Sequence, residues 1–147
     1  SSAASDVYKR QSLDPKEGFA PLIMGWTYEQ KGMFREAISA FQQMPPRAQT
    51  PYVVHALARS GKPDAARDYL GHILEQAKKQ YVSPYNVAVI YAGLDDAANA
   101  VSWLEKAFQE HSGLLVYVFL DPRLKPLRAN DRFRGILRNM GFRNQSV

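Results

Sequence analysis

Hydrophobic and polar residues alternate with a helical period along most of the chain, and the pattern is interrupted at intervals. In GWTYEQKGMFREAISAF, residues 25–41, an apolar stripe stops at Gly32 and resumes two residues later. This arrangement predicts two short amphipathic helices rather than one. Glycine can adopt the left-handed conformation that ends a helix and turns the chain. The segment is therefore predicted to form a helical hairpin.

The same pattern recurs twice, with Gly61 and Asp95 in the position of Gly32. A large apolar residue stands four positions before each of these three residues. An alanine stands five positions after each, and another large apolar residue stands nine positions after. These residues are Tyr28, Leu57 and Tyr91, then Ala37, Ala66 and Ala100, then Phe41, Leu70 and Leu104. The alanines predict close packing of the second helix of each hairpin on the first. The fold class is therefore predicted to be all-α.

The predicted starts of the hairpins share a second signal. Asp14, Thr50 and Ser83 each stand directly before a proline. Proline is favoured at the first position of a helix, and Asp, Thr and Ser side chains accept hydrogen bonds from its free amides. Glu17 completes a capping-box spacing from Asp14. We expect these three residues to be helix N-caps.

These three units resemble tetratricopeptide repeats, which combine a small residue and an aromatic in the first helix with a turn glycine and an alanine in the second. The resemblance implies an α-solenoid of antiparallel helical hairpins, with about three units and a C-terminal capping helical segment. The array is expected over 12–110, with repeats at about 14–46, 50–80 and 83–111. Two departures are Pro63, where an aromatic is usual, and Asp95 in place of the turn glycine.

Residues 103–142 carry a narrower resemblance, to the closing segment of repeat arrays at the C-terminus of bacterial multidomain regulators. In such proteins a winged-helix, Ser/Thr kinase or nucleotide-cyclase domain precedes the repeats. The segment 112–142 is expected to be a cap, followed by a tail at 143–147. SGLLVYVFL is predicted to be a buried short helix and DPRLKPLRAN an extended or turning link. DRFRGILRNMG predicts an amphipathic helix with Phe133, Ile136, Leu137 and Met140 on one face, ended by Gly141.

The first eleven residues, SSAASDVYKRQ, differ in character from the rest. They resemble the translated read-through of a sequencing adapter, as found at the ends of gene fragments assembled from environmental DNA. On that hypothesis 1–11 is a non-native or unstructured segment, and the chain is a metagenomic gene fragment. The alternative is a natural linker or the end of an earlier helix.

Composition and charge narrow the function classes. The chain has 147 residues, a net charge of +5 and no cysteine, which excludes a disulfide framework and thiolate metal sites. It has no apolar run of about 18 residues, so no membrane association is expected, and a cytoplasmic location is the prediction. The excess positive charge lies entirely from Asp121 onward. The three histidines show no metal-ligand spacing, and no catalytic motif is present. We expect no enzymatic activity, no metal and no cofactor.

Binding is the predicted activity, because the first helices of stacked hairpins line an extended concave surface. The candidate residues on this surface are Trp26, Glu29, Gln30, Tyr52, His55, Arg59, Tyr85, Asn86 and Val89. Aromatic and arginine side chains are enriched at interface hot spots. An equally weighted alternative places Trp26, Tyr52 and Tyr85 in the seams between neighbouring repeats.

Three functions follow, in order of preference. The first is a protein-interaction module that binds a peptide or helix in the concave groove, as the C-terminal part of a larger bacterial regulatory protein. The second is a structural segment that packs on another domain or self-associates through an apolar end of the array. The third is nucleic-acid binding through the basic cap, which is disfavoured because the charge lies on the cap and not along the groove.

Overall fold

The computed structural model describes residues 15–142, and within this range the chain is all-α, as predicted. The described residues form seven α-helices and two 3-10 helices. The α-helices are α1 (Pro15–Gln30), α2 (Phe34–Phe41), α3 (Pro46–Arg59), α4 (Pro63–Ala77), α5 (Pro84–Gly93), α6 (Ala97–Gln109) and α7 (Asp131–Asn139). The 3-10 helices, Gly113–Tyr117 and Pro122–Ala129, lie between α6 and α7. Residues 1–11 and 143–147, the predicted extra segment and tail, lie outside the described residues.

The first six helices form three consecutive hairpins, α1–α2, α3–α4 and α5–α6, which pack on one another in chain order. Helix α2 packs against α3, and α3 and α4 both pack against α5. The second 3-10 helix packs against α5, and α7 packs against α6 and this 3-10 helix. The C-terminal segment therefore covers the last hairpin and folds back onto its first helix.

The three hairpin turns share one backbone geometry. Gly32, Gly61 and Asp95 have φ angles of 72°, 79° and 59°, in the left-handed region. The residue after each of them donates its amide to a carbonyl five residues earlier: Met33 to Tyr28, Lys62 to Leu57 and Asp96 to Tyr91. This is the Schellman arrangement. The predicted equivalence of Asp95 with the two glycines is confirmed.

The same arrangement ends α6 and α7. His111 has a φ of 53° and Gly141 a φ of 90°, and the next residues donate to Ala107 and Leu137. Gly141 was expected to end the last helix, and this prediction is confirmed. His111 was not anticipated as a turn residue, because histidine is a weaker sequence signal for the left-handed conformation than glycine.

The repeated alanines pack as the sequence predicts. Ala37, Ala66 and Ala100 are each 0% exposed. The large apolar residues that follow them, Phe41, Leu70 and Leu104, are buried. At Gly25 a Cβ atom would lie 2.1 Å from the Phe41 ring, so a residue without a side chain is required there for α1 to approach α2.

The predicted helix caps were only partly right. Asp14 lies outside the described residues. Thr50 is not an N-cap, because α3 begins at Pro46, and the Thr50 hydroxyl donates 3.2 Å to the Pro46 carbonyl inside the helix. Ser83 does occupy the N-cap position of α5, but its hydroxyl makes no capping hydrogen bond. Helix α3 begins instead at the upstream prolines, with Pro45 at the N-cap and Pro46 at the first helical position. The predicted start of the second unit at residue 50 is therefore too late.

The cap prediction is partly right in two segments and confirmed in the third. SGLLVYVFL contains a short 3-10 helix with only Leu115 and Val118 buried, whereas Val116 and Leu120 are 65% and 73% exposed. Within DPRLKPLRAN, Pro122–Ala129 form a 3-10 helix, so of the two predicted alternatives the turning link holds and the extended link does not. Its N-cap Asp121 accepts a hydrogen bond from the Arg123 amide. Helix α7 is amphipathic as predicted, with Phe133 and Ile136 buried and Leu137 and Met140 packed against the same core; these four residues line one side.

Candidate functional site

The predicted groove residues lie on the first helices of the hairpins, but the surface they form is not open. Trp26 lies on α1, Tyr52 on α3 and Tyr85 on α5. The second 3-10 helix crosses this side of the molecule and inserts Arg123 among them. The Arg123 guanidinium carbon lies 4.1 Å from the centroid of the Tyr52 ring and 5.9 Å from that of Trp26. Arg123 therefore covers the side of the first helices on which Trp26 and Tyr52 were predicted to form a groove.

Arg123 is held in place by Asp121. Its Nε donates to Asp121 Oδ1 at 2.9 Å, and its Nη2 donates to Oδ2 at 2.7 Å, so the pair is bidentate. The Arg123 and Asp121 side chains are only 3% and 1% exposed. The Tyr85 hydroxyl donates to Asp121 Oδ2 at 2.9 Å and ties the pair to α5.

Burial and charge shift the pKa values of this cluster. Burial and the nearby Asp121 carboxylate raise the pKa of Tyr85 well above its ordinary value, so its hydroxyl remains a donor. Burial alone would raise the pKa of Asp121, but the charge and hydrogen bonds of Arg123 outweigh it and lower that pKa. Burial would lower the pKa of Arg123, and the Asp121 carboxylate reverses this and raises it. The cluster is therefore a charged, hydrogen-bonded ion pair.

Trp26 and Tyr52 also belong to the seam between the first two hairpins. The Tyr52 ring lies 5.3 Å from Phe41 and 6.3 Å from Trp26, measured between centroids. Both rings pack against the apolar core around Phe41. The seam and groove alternatives are thus combined, since one side of these rings faces the core and the other faces Arg123.

A second buried polar pair joins α1 to α3. His55 Nδ1 lies 2.8 Å from Glu29 Oε1, and the two side chains are 9% and 4% exposed. Gly93 makes room for the imidazole, because a Cβ atom there would lie 2.7 Å from His55 Cδ2. Three hairpins therefore contribute to the position of this pair.

Beside the Glu29–His55 pair the concave side retains an open cleft of about 520 Å³. Four of the predicted residues line it: Glu29, Gln30, His55 and Arg59. The remaining lining residues are Phe34, Ala92, Pro122, Arg123, Lys125 and Pro126. Arg59 at the rim is paired with Asp95 at 2.7 Å, and both side chains are exposed. We call this space the concave cleft.

Five of the nine predicted site residues do not line the concave cleft: Trp26, Tyr52 and Tyr85, which pack around Arg123 and Asp121, and also Asn86 and Val89. Val89 is 0% exposed and packs in the core between α5, α6 and the C-terminal segment. Asn86 instead lines a different cavity of about 530 Å³, formed by the start of α3, the end of α4 and the start of α5. A register error of this kind is inherent in assigning helix faces from a short pattern, because adjacent residues on a helix point about 100° apart.

Sequence reasoning missed Asp121 and Arg123 as members of this site. Their only signal is the Asp-Pro-Arg order, in which an Asp before a proline can cap a helix and accept from the arginine two residues on. That the arginine then reaches α1 and α3 is a long-range contact, and no local pattern records it.

Part of the basic charge of the C-terminal segment is paired with carboxylates within the molecule. Besides Arg123, Arg132 makes a bidentate pair with Glu105, which raises the pKa of Arg132 through the hydrogen bond and the charge. Arg134 pairs with Asp131, and Arg128 donates 3.0 Å to the Phe119 carbonyl. Three arginines of the segment, Arg123, Arg132 and Arg134, are therefore engaged in ion pairs.

The described residues define an all-α protein in which three helical hairpins and the C-terminal segment surround a cleft. No family model matches the chain, no curated protein matches it, and no solved structure matches it. Among residues 15–142, no helix has the length and apolar character needed to cross a bilayer. The described residues also contain no cluster of three or more His, Asp or Glu side chains suited to a metal ion.

Proposed function

We propose that the chain is a non-catalytic protein-interaction module of the tetratricopeptide-repeat type, and that it binds a peptide in the concave cleft. The observation that carries the proposal is the cleft itself, which is formed by three hairpins and the C-terminal segment and contains charged, polar and apolar side chains. A cleft of about 520 Å³ lies within the range of protein ligand sites. The proposal includes a cytoplasmic location and an origin as the C-terminal part of a larger bacterial regulatory protein.

An extended peptide fits this surface better than a helix does. An α-helix with its side chains is about 10–12 Å across and needs a long open groove. The second 3-10 helix crosses the middle of the concave side, and Arg123 covers the Tyr52 ring there. What remains open is a short cleft, which suits a few residues of extended chain.

The shifted pKa values of this cluster support a structural role. Shifted pKa values are typical of active sites but also of structural ion pairs. Here Tyr85, Asp121 and Arg123 are buried and bonded to one another. Their chemistry is that of an internal clamp that holds the C-terminal segment on α5, which supports a binding role for the surface around it.

The proposal can be tested by selecting peptides that bind the chain from a random displayed library and measuring their affinity for variants. Arg59→Ala removes an exposed arginine at the cleft rim, and Lys125→Glu reverses a charge there. Arg67→Ala is a matched control, because Arg67 is likewise an exposed arginine paired with an aspartate, Asp64, but lies on α4 away from the cleft. We expect weaker binding to the two cleft variants and unchanged binding to the control. Equal binding to all three variants would contradict the proposed site.

Self-association or packing on another domain is a second candidate function, favoured by one specific observation. Phe19, Ile23 and Met24 on α1 are exposed apolar side chains at the N-terminal end of the hairpin stack. Contiguous exposed apolar surface of this kind is typical of contact sites. Sedimentation equilibrium of the chain and of an Ile23→Glu variant would test it. A monomeric chain at every concentration would exclude self-association.

A further inference from the structure

Two buried polar atoms on the wall of the concave cleft have no hydrogen-bond partner among the described residues. They are Oε2 of Glu29 and Nη1 of Arg123. Both side chains are more than nine-tenths buried, at 4% and 3% exposed, and both line the cleft. Buried polar groups are nearly always hydrogen-bonded, so these two atoms require partners that the described side chains do not supply.

The two atoms have opposite requirements. Glu29 Oε1 is in hydrogen-bond contact with His55 Nδ1, which leaves Oε2 without a partner, and an oxygen of an ionised carboxylate is an acceptor. Arg123 uses Nε and Nη2 on Asp121, which leaves the N–H groups of Nη1 as free donors. A complementary ligand must therefore donate at one end and accept at the other.

Charge decides which donor fits best. The charge of Arg123 is offset by Asp121, whereas Glu29 has only His55 as an ionisable partner among the described residues. A buried carboxylate is best stabilised by a cationic hydrogen-bond donor. At the other end of the ligand, the group that faces Arg123 must accept a hydrogen bond. Lys125 also lines the cleft, so a carbonyl or carboxylate oxygen suits this end of the ligand.

We propose that the concave cleft binds an α-ammonium group together with its adjoining carbonyl or carboxyl oxygen. The ammonium donates to Glu29 Oε2, and the oxygen accepts from Arg123 Nη1. This inference rests on the proposed peptide-binding function and names the part of the peptide that is bound, its N-terminal residue. A free α-amino acid offers the same chemistry, but a cleft of about 520 Å³ has room for a larger ligand.

The probes are equimolar mixtures of X-Ala-Ala tripeptide amides, in which X is any amino acid, compared with the same mixtures N-acetylated and with the free amino acids. Binding is observed by saturation-transfer NMR on the whole chain. Acetylation removes the positive charge and leaves the carbonyl, so we expect signals from the free-amine peptides and none from the acetylated ones. Stronger signals from free amino acids than from tripeptides would identify a small molecule as the source of the ammonium group.

Two variants test the assigned atoms. Glu29→Gln removes the carboxylate charge and retains an acceptor for His55, and Arg123→Lys retains a charge for Asp121 and removes the guanidinium fork. Each is expected to weaken binding of the free-amine peptide by about tenfold or more, since a hydrogen bond to a charged group is lost. Arg67→Ala serves as the control, and circular dichroism shows which variants remain folded. Unchanged affinity in a folded Glu29→Gln or Arg123→Lys variant would overturn the assignment.

The remaining outcomes separate this inference from the proposed function. If acetylated and free peptides bind equally, the ammonium inference is wrong and peptide binding stands. If no mixture binds at millimolar concentration while peptides selected from the displayed library still do, the inference again fails alone. If neither set binds, water satisfies the two buried atoms, and both proposals fail.

Discussion

The guanidinium of Arg123 lies over the ring of Tyr52, with 4.1 Å between its central carbon and the ring centroid. Arg123 belongs to the C-terminal segment and Tyr52 to α3, 71 positions earlier in the chain. A cation over an aromatic face is attracted by the negative charge density of the ring. This contact joins the C-terminal segment to the second hairpin, and the contact of Arg123 with Trp26 joins it to the first.

Replacing Arg123 by alanine is expected to lower the free energy of unfolding by about 3–5 kcal/mol, because the change leaves the buried Asp121 carboxylate without its partner. Chemical denaturation followed by circular dichroism measures the loss. Arg67→Ala, which breaks an exposed ion pair with Asp64, should cost far less. Similar losses in the two variants would show that the Arg123 pair is not buried in solution.

The lowered pKa of Asp121 predicts a loss of stability in acid. Because its pKa lies below the ordinary value of 3.8, the carboxylate contributes its full stabilisation above about pH 4, and this is lost as the pH falls through the folded-state pKa. Denaturation between about pH 5 and about pH 2 should show a steeper fall for the chain than for Asp121→Asn. Tyr85→Phe, which removes one hydrogen bond to the carboxylate, should have an intermediate slope. Parallel slopes for all three proteins would contradict the assignment.

Much of the hairpin arrangement could be predicted from the sequence, because it follows from local rules. A glycine in the left-handed conformation ends a helix, and an alanine with large apolar neighbours defines a packed face. These rules identified Gly32 and Gly61 as turn residues. Asp95 is not glycine, but the spacing of the apolar residues and the alanine around it identified it as the third turn residue. They act within one hairpin and need no knowledge of distant residues.

The candidate site could be predicted only in part. Glu29, His55 and Arg59 were assigned from their register on the first helices, and they do line the concave cleft. The missing partners, Asp121 and Arg123, lie at the start of a 3-10 helix, in a segment that the two prolines led us to predict as an extended or turning link. Short 3-10 helices have weak sequence signals, and the closure of a segment onto distant helices depends on tertiary contacts.

Gly25→Ala is expected to destabilise the first hairpin by about 1–3 kcal/mol, since the added methyl group would overlap the Phe41 ring. The free energy of unfolding measured by denaturation tests this. A second substitution, Phe41→Leu, removes part of the ring that the methyl group meets. The double variant should therefore lose less than the two single variants combined, and simple additivity would show that the two residues do not clash.

Alanine substitutions at Gly32 and Gly71 are expected to act in opposite directions. Neither added Cβ meets another atom within 4 Å, but Gly32 has a φ of 72° and Gly71 lies inside α4. Gly32→Ala should cost about 1–2 kcal/mol through the strained left-handed backbone. Gly71→Ala should stabilise the chain by about 0.5–1 kcal/mol, because alanine loses less backbone entropy in a helix. Thermal unfolding of the two variants compares them directly, and a stabilising Gly32→Ala would exclude the left-handed turn.

The Glu29–His55 contact predicts which tautomer the imidazole adopts. An ionised carboxylate only accepts hydrogen bonds, so His55 Nδ1, at 2.8 Å from Glu29 Oε1, must carry a proton. Long-range proton–nitrogen NMR should therefore show a protonated Nδ1 for His55. Gly93→Ala pushes a methyl group against the ring and Glu29→Ala removes the acceptor, so each variant should lose this signature. His72 lies exposed on α4 and provides an internal reference.

An unprotonated Nδ1 in the unaltered chain would mean that the imidazole accepts from a protonated Glu29. The carboxyl group of Glu29 would then offer no charge to a ligand in the concave cleft.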